Sequence, residues 1–158
     1  MQLSILALMR TGTALLLLCL APYAAQAQQF GIDAGSVNSC SGVIEDTGGP
    51  TGTYGNNENH TLTVCPDVPG DAISLNWIIF DLNQQLPQPI DRMRIWDGDN
   101  TSAPFLGEYT GTQLQGLISS ATIYNFSGCL TLQFISNLGG MGNFAAGITC
   151  YTPCERPT

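Results

Sequence analysis

What most limits the fold of this chain is the spacing of its apolar runs. Residues 72–80 place Ile73, Leu75, Trp77 and Ile79 on one face of an extended chain, and residues 92–96 alternate Arg92 and Arg94 with Met93 and Ile95. Leu130, Leu132 and Phe134 recur at every second position, and residues 144–150 form a closing run of small and apolar side chains. A period of two belongs to half-buried β-strands, and no window of helical length shows apolar residues at three- and four-residue spacing. Between the runs lie Gly48-Gly49-Pro50, Val68-Pro69-Gly70, Pro87-Gln88-Pro89, Asp97-Gly98-Asp99 and Gly139-Gly140. Glycine supplies positive φ and proline a fixed φ, so these segments are turns. Short strands with this punctuation predict an all-β fold, an antiparallel β-sandwich. Trp77 is expected in its core, and Trp96, which ends its strand, is expected there too.

Residues 1–27 predict a secretory signal peptide. Arg10 is followed by an apolar run over residues 13–21, then Pro22 and the small-x-small pattern Ala25-Gln26-Ala27. That run is too short to span a bilayer as a helix, and Leu18 ahead of Cys19 does not suit lipid attachment. The chain is therefore expected to be secreted or at the cell surface, where disulfides persist. Cys40, Cys65, Cys129, Cys150 and Cys154 would remain after cleavage. Spacing alone does not resolve which four of them pair. Cys40 and Cys65 each adjoin turn residues, while Cys129 and Cys150 open and close the last two strand-like runs. Residues 28–39 are expected to be a lead-in, and the polar, proline-containing residues 151–158 a tail or the start of a linker.

Charge narrows the partners. The chain has 4 basic residues, all arginine, against 12 acidic ones, for a net charge of −8. Nucleic acid is excluded, because phosphate neutralisation needs a Lys/Arg surface, and an anionic membrane face is disfavoured for the same reason. Cationic partners, neutral glycans or a bound cation suit such a surface. A single histidine, His60, excludes zinc sites built on several histidines. No Gly-x-Ser-x-Gly elbow or acid–His–nucleophile pattern surrounds it. His60 is expected to be a solvent-facing structural residue, and the protein not to be an enzyme.

Several short motifs recur in a fixed order. Cys40-Ser41-Gly42 is followed by Tyr54-Gly55-Asn56-Asn57-Glu58-Asn59, Leu62-Thr63-Val64-Cys65-Pro66 and Ile73-Ser74-Leu75-Asn76-Trp77. Then come Phe80-Asp81-Leu82-Asn83, Asp91-Arg92-Met93-Arg94-Ile95-Trp96-Asp97-Gly98, Pro104-Phe105-Leu106-Gly107, Phe134-Ile135-Ser136-Asn137 and Gly142-Asn143-Phe144. Over residues 40–150 this series resembles a CUB domain, in particular the CUB-like modules of secreted or surface bacterial proteins. The resemblance implies a compact, jelly-roll-like antiparallel sandwich, stapled by disulfides, whose end loops bind proteins or glycans. It also implies a bridge Cys40–Cys65. Thr110 stands where the family's usual second bridge has a cysteine, so Cys129 is expected to pair with Cys150, as in the bacterial subset.

Many CUB domains hold one calcium ion between end loops on three acids. Those positions correspond here to Asn83, Asp91 and Asn137, so two carboxylates have become amides; Asp81, two residues before Asn83, is a candidate replacement ligand. Calcium affinity follows ligand charge count. The alternative is that Asp91, Asn83 and Asn137 make loop-closing hydrogen bonds. Asp97-Gly98-Asp99-Asn100-Thr101 with Glu108 is not an EF-hand loop, since Ser102 occupies the glycine position and Pro104 follows. Tyr54 and Tyr109, in Gly/Thr-rich loops, are candidate partner-binding side chains. Asn59, Asn100 and Asn125 open glycosylation tripeptides. The function expected is a non-catalytic extracellular recognition module, binding a protein or glycan through a rim of residues 54–58, 81–91, 97–100 and 137–142, with calcium as a candidate aid. A structural spacer within a larger protein and a hydrolase-associated domain are the alternatives.

Overall fold

The computed structural model describes residues 27–84, 90–139 and 141–154. The expected signal peptide up to residue 26 and the end of the expected tail lie outside them. Within the described residues are ten strands: β1 (Gln29–Gly31), β2 (Ser36–Asn38), β3 (Ser41–Glu45), β4 (Asn59–Cys65), β5 (Ala72–Asp81), β6 (Arg92–Trp96), β7 (Phe105–Tyr109), β8 (Ile118–Ser120), β9 (Leu130–Ile135) and β10 (Asn143–Tyr151). They form two five-stranded sheets, ordered β1-β3-β10-β5-β8 and β2-β4-β9-β6-β7. Every pairing is antiparallel except β1 with β3 and β2 with β4. The presumed lead-in is thus part of the sandwich, supplying one short parallel edge strand to each sheet. No helix among the described residues is long and apolar enough to cross a membrane.

The alternation seen in the sequence becomes the interior. Leu62 and Val64 of β4, Met93 and Ile95 of β6, and Leu130, Leu132 and Phe134 of β9 face Ile73, Leu75 and Trp77 of β5 and Phe144, Ala146 and Ile148 of β10 in one buried cluster. Trp77 is fully buried, and its indole N–H donates to Ser119 Oγ at 2.9 Å, which meets the polar need of a buried tryptophan.

Two residues depart from the expected pattern, the first through a register shift and the second through simple alternation. Opposite β10, Ile79 pairs with Ala145 but Trp77 pairs with Ala146, so Ile78 is an extra residue in β5. An extra residue exchanges the two faces beyond it. Ile79 is therefore turned outward and 38% exposed, while Phe80 takes the core position. Trp96, expected inside, lies on the outer face of β6 with Arg92 and Arg94. It is half-buried, with its ring 5.4 Å from that of Phe105 across the strand pair.

The disulfides correct the pairing that the resemblance implied. Cys40 is bonded to Cys150, and Cys65 to Cys129. The reason is register. Ser41 lies opposite Thr149 in the β3–β10 ladder, and Val64 opposite Leu130 in the β4–β9 ladder. One step further along each ladder brings Cys40 to Cys150 and Cys65 to Cys129. Each bridge closes one sheet; neither is Cys40–Cys65 or Cys129–Cys150. Cys154 is an exposed free thiol.

Strand directions sort the loops into two ends. Residues 46–58, 82–84, 90–91, 110–117, 136–139 and 141–142 gather at one end; residues 66–71, 97–104 and 121–129 gather at the other. The expected single rim is therefore split, since residues 97–100 lie opposite the other three segments.

Candidate functional site

At the first end, Asp91 enters β6 with no solvent exposure. Its Oδ2 accepts the Tyr54 hydroxyl at 2.8 Å, and its Oδ1 accepts the Asn137 backbone N–H at 2.7 Å. The Tyr54 oxygen in turn accepts the Asn83 N–H at 2.8 Å. The Asn83 side-chain amide donates to the Gly139 carbonyl, and Asn137 Oδ1 accepts the Gly139 N–H at 2.6 Å. Three loops are thereby drawn together on one carboxylate and one phenol. Gly142 permits the closure, because a methyl group there would run into the Asp81 carbonyl and stand 2.9 Å from the Tyr54 oxygen.

Tyr54 is consequently not a surface residue. It is fully buried, with Phe134 and Phe144 beside its ring at 4.7 and 6.4 Å. Burial holds its hydroxyl well above the usual phenol range; the Asn83 N–H opposes the rise and the Asp91 and Asp81 charges add to it. Tyr54 is therefore a permanent donor to Asp91. Tyr109 is half-buried and packs against the core, its ring lying over Gly107.

Of the positions mapped to a calcium site, Asp91, Asn83 and Asn137 do come together, whereas Asp81 is exposed. As arranged, the set does not fit the ion. Calcium seeks six to eight oxygens, several of them charged. Here both Asp91 oxygens already accept donors, and Asn83 turns N–H, not oxygen, toward its neighbour. No group of three or more His, Cys, Asp or Glu among the described residues is placed to hold a metal.

A second buried carboxylate braces the same end. Asp46 accepts the N–H groups of Gly48 at 2.7 Å and Phe144 at 2.9 Å, and Glu58 accepts the Thr47 hydroxyl and the Gly55 N–H, both at 2.6 Å. His60 is partly exposed, with Nε2 3.6 Å from Glu58. Burial raises the Asp46 carboxyl above its usual range, the Phe144 and Gly48 N–H groups working against the rise and the Glu58 charge adding to it. The folded chain then takes up a proton before the unfolded chain does. Between neutrality and about pH 4, this residue makes stability increase as pH falls. The urea midpoint is expected to be higher at pH 5 than at pH 7; a midpoint that falls steadily over that range contradicts this placement of Asp46.

At the opposite end Asp97, 6% exposed, organises two loops. Its Oδ1 accepts the Thr122 N–H at 3.0 Å and the Asn125 amide at 2.7 Å, and its Oδ2 accepts the Thr122 hydroxyl at 2.6 Å. Asn125 is buried, and its Oδ1 accepts the Ser127 hydroxyl at 2.7 Å, so this tripeptide asparagine is closed to a glycan. The sequence identified Asp97 only as the start of a tight turn; its loop partners lie 25 or more residues away.

At both ends of this two-sheet sandwich, buried carboxylates brace loops. No family model matches the chain. Human cubilin is 32% identical over 97 residues, which cover 61% of this chain and 2% of cubilin. The CUB1-EGF-CUB2 fragment of human MASP-1/3 superposes with a TM-score of 0.58 at 18% identity, covering 74% of this chain and 42% of that one. The MASP-1 CUB2 domain bound to Ca2+ gives a TM-score of 0.50 at 16% identity, covering 74% and 98%. The chain has the fold of a CUB domain. It spans a small fraction of cubilin, and CUB domains are in general non-catalytic extracellular modules of protein interaction.

Proposed function

We propose that this chain is a secreted or surface recognition module that binds a partner protein through end loops, without calcium and without catalysis. One observation carries this reading: the side chains best suited to chemistry are buried and spent on internal hydrogen bonds, while large apolar side chains stand out on the loops. Asp91, Tyr54 and Asp97 belong to the first group; Leu138 and Met141 at one end and Tyr124 and Phe126 at the other belong to the second. Loops held on a rigid sheet are the usual place for recognition. Two disulfides suit an oxidising compartment. The MASP-1 CUB2 domain is bound to Ca2+; in this chain, Asn83 and the Tyr54 hydroxyl supply donors that tie the loops to Asp91 and Gly139.

The test immobilises the chain against a panel of extracellular proteins and glycans, in calcium and in EDTA. Saturable protein binding of equal strength in both buffers is expected, with no turnover of peptide or glycoside substrates. Binding lost in EDTA overturns the metal-free reading, binding to glycans alone overturns the partner class, and hydrolysis overturns the non-catalytic role.

A further inference from the structure

The loops of residues 97–104 and 121–129 enclose an open cavity of about 490 Å³ at the end remote from Asp91. Its walls include Asp97, Asp99, Pro104, Leu106, Tyr124 and Phe126, and none of its lining residues is cationic. Tyr124 is 71% and Phe126 69% exposed. The donors that hold the Asp97 carboxylate, from Thr122 and Asn125, are all neutral, so they fix its position without cancelling its charge. Asp99 adds an exposed carboxylate at the rim, where its Oδ1 accepts the neutral Asn100 side-chain amide. Arg92 and Arg94 lie on the outer face of β6 and are engaged by Glu108 of β7.

A cavity of this composition suits a positive charge carried on an aliphatic stem. Aromatic faces attract a cation through the ring quadrupole, and apolar walls cover the stem of a lysine or arginine while its head stays polar. An anion would meet two carboxylates, and a neutral sugar would leave both charges unused. We propose that this cavity takes a lysine or arginine side chain of a partner protein. The proposal rests on the recognition-module reading and deepens it by assigning the end and the ligand chemistry.

The test records 1H–15N spectra of the chain titrated with Nα-acetyl-lysinamide and Nα-acetyl-argininamide. Saturable shifts are expected at the amides of residues 97–106 and 122–127, with millimolar affinity. Asp99→Asn and Tyr124→Ser, both at exposed positions, should each weaken binding about tenfold, and Nα-acetyl-norleucinamide should produce no such shifts. Equal shifts with norleucinamide, shifts with N-acetylglucosamine but not with the cations, or no saturable shift would each overturn the proposal. Partner binding that survives both substitutions sinks this site and leaves the recognition reading standing. An intact lysine response in a chain that binds no protein sinks the recognition reading instead.

Discussion

Replacing Cys40 and Cys150 together by alanine is expected to destabilise the fold by about 4 kcal/mol. The bridge joins residues separated by 110 positions, and Cys65–Cys129 joins residues separated by 64. Chain-entropy reasoning gives about 4–5 kcal/mol for loops of such length, with the longer loop ahead by only about 0.5 kcal/mol. A domain of this size holds about 5–15 kcal/mol in total, so a variant lacking both bridges should be largely unfolded near body temperature. Each bridge also staples the end of one sheet where strands β3 and β10, or β4 and β9, diverge into loops. Urea unfolding of the two double-alanine variants measures the effect, and a loss below about 1 kcal/mol for either pair rejects this account. Chymotryptic mapping without reductant provides a separate check, because Tyr54 divides Cys40 from Cys65 and Phe144 divides Cys129 from Cys150. Linked peptides should join 40 to 150 and 65 to 129; a 40–65 link would mean the ladders are out of register.

The sandwich was legible in the sequence wherever one face of a strand meets water. Residues 92–95 and 130–134 alternate, and Met93, Ile95, Leu130, Leu132 and Phe134 are buried as their period required. Legibility failed where a tertiary partner sets the outcome. Ile79 and Phe80 exchange roles because β10 imposes a bulge on β5, which no local pattern records. The strands of residues 29–31 and 36–38 are too short to show a period and exist by pairing with β3 and β4. Disulfide pairing is a matter of register between strands distant in the chain, so family analogy predicted the right four cysteines and the wrong partners. At the candidate site, Asp91, Asn83 and Asn137 were brought out by motif order, and their loop-closing role was one of the two readings open. Tyr54 was misjudged because a tyrosine among glycines resembles a surface residue. The missed signal was Gly142, 88 residues on, whose lack of a side chain lets one loop close over another. The cavity beside Asp97 had no sequence signature, because its two walls come from separate connections.

Tyr54→Phe is expected to cost about 2–5 kcal/mol, although it deletes a single oxygen. The ring can keep its place against Phe134 and Phe144, so packing contributes little to the loss. The hydroxyl, however, serves two buried groups at once. It donates to Asp91 Oδ2 and accepts the Asn83 N–H. Without it, a fully buried carboxylate oxygen loses a donor and a backbone N–H loses its acceptor, and each such orphan costs about 1–3 kcal/mol, more for the charged one. The damage should be local as well as global: hydrogen exchange at Asn83 and Asn137, the two backbone amides tied into this network, should accelerate more than exchange in β9 or β10. Tyr124→Phe provides the control, because an exposed side chain away from such features changes stability by less than about 0.5 kcal/mol. If Tyr54→Phe proves as mild as Tyr124→Phe, Asp91 has another source of compensation, and a cation between these loops becomes the first candidate. A large loss, unchanged by calcium or EDTA, would mean that a phenol and two amides close this end of the sandwich without a bound cation.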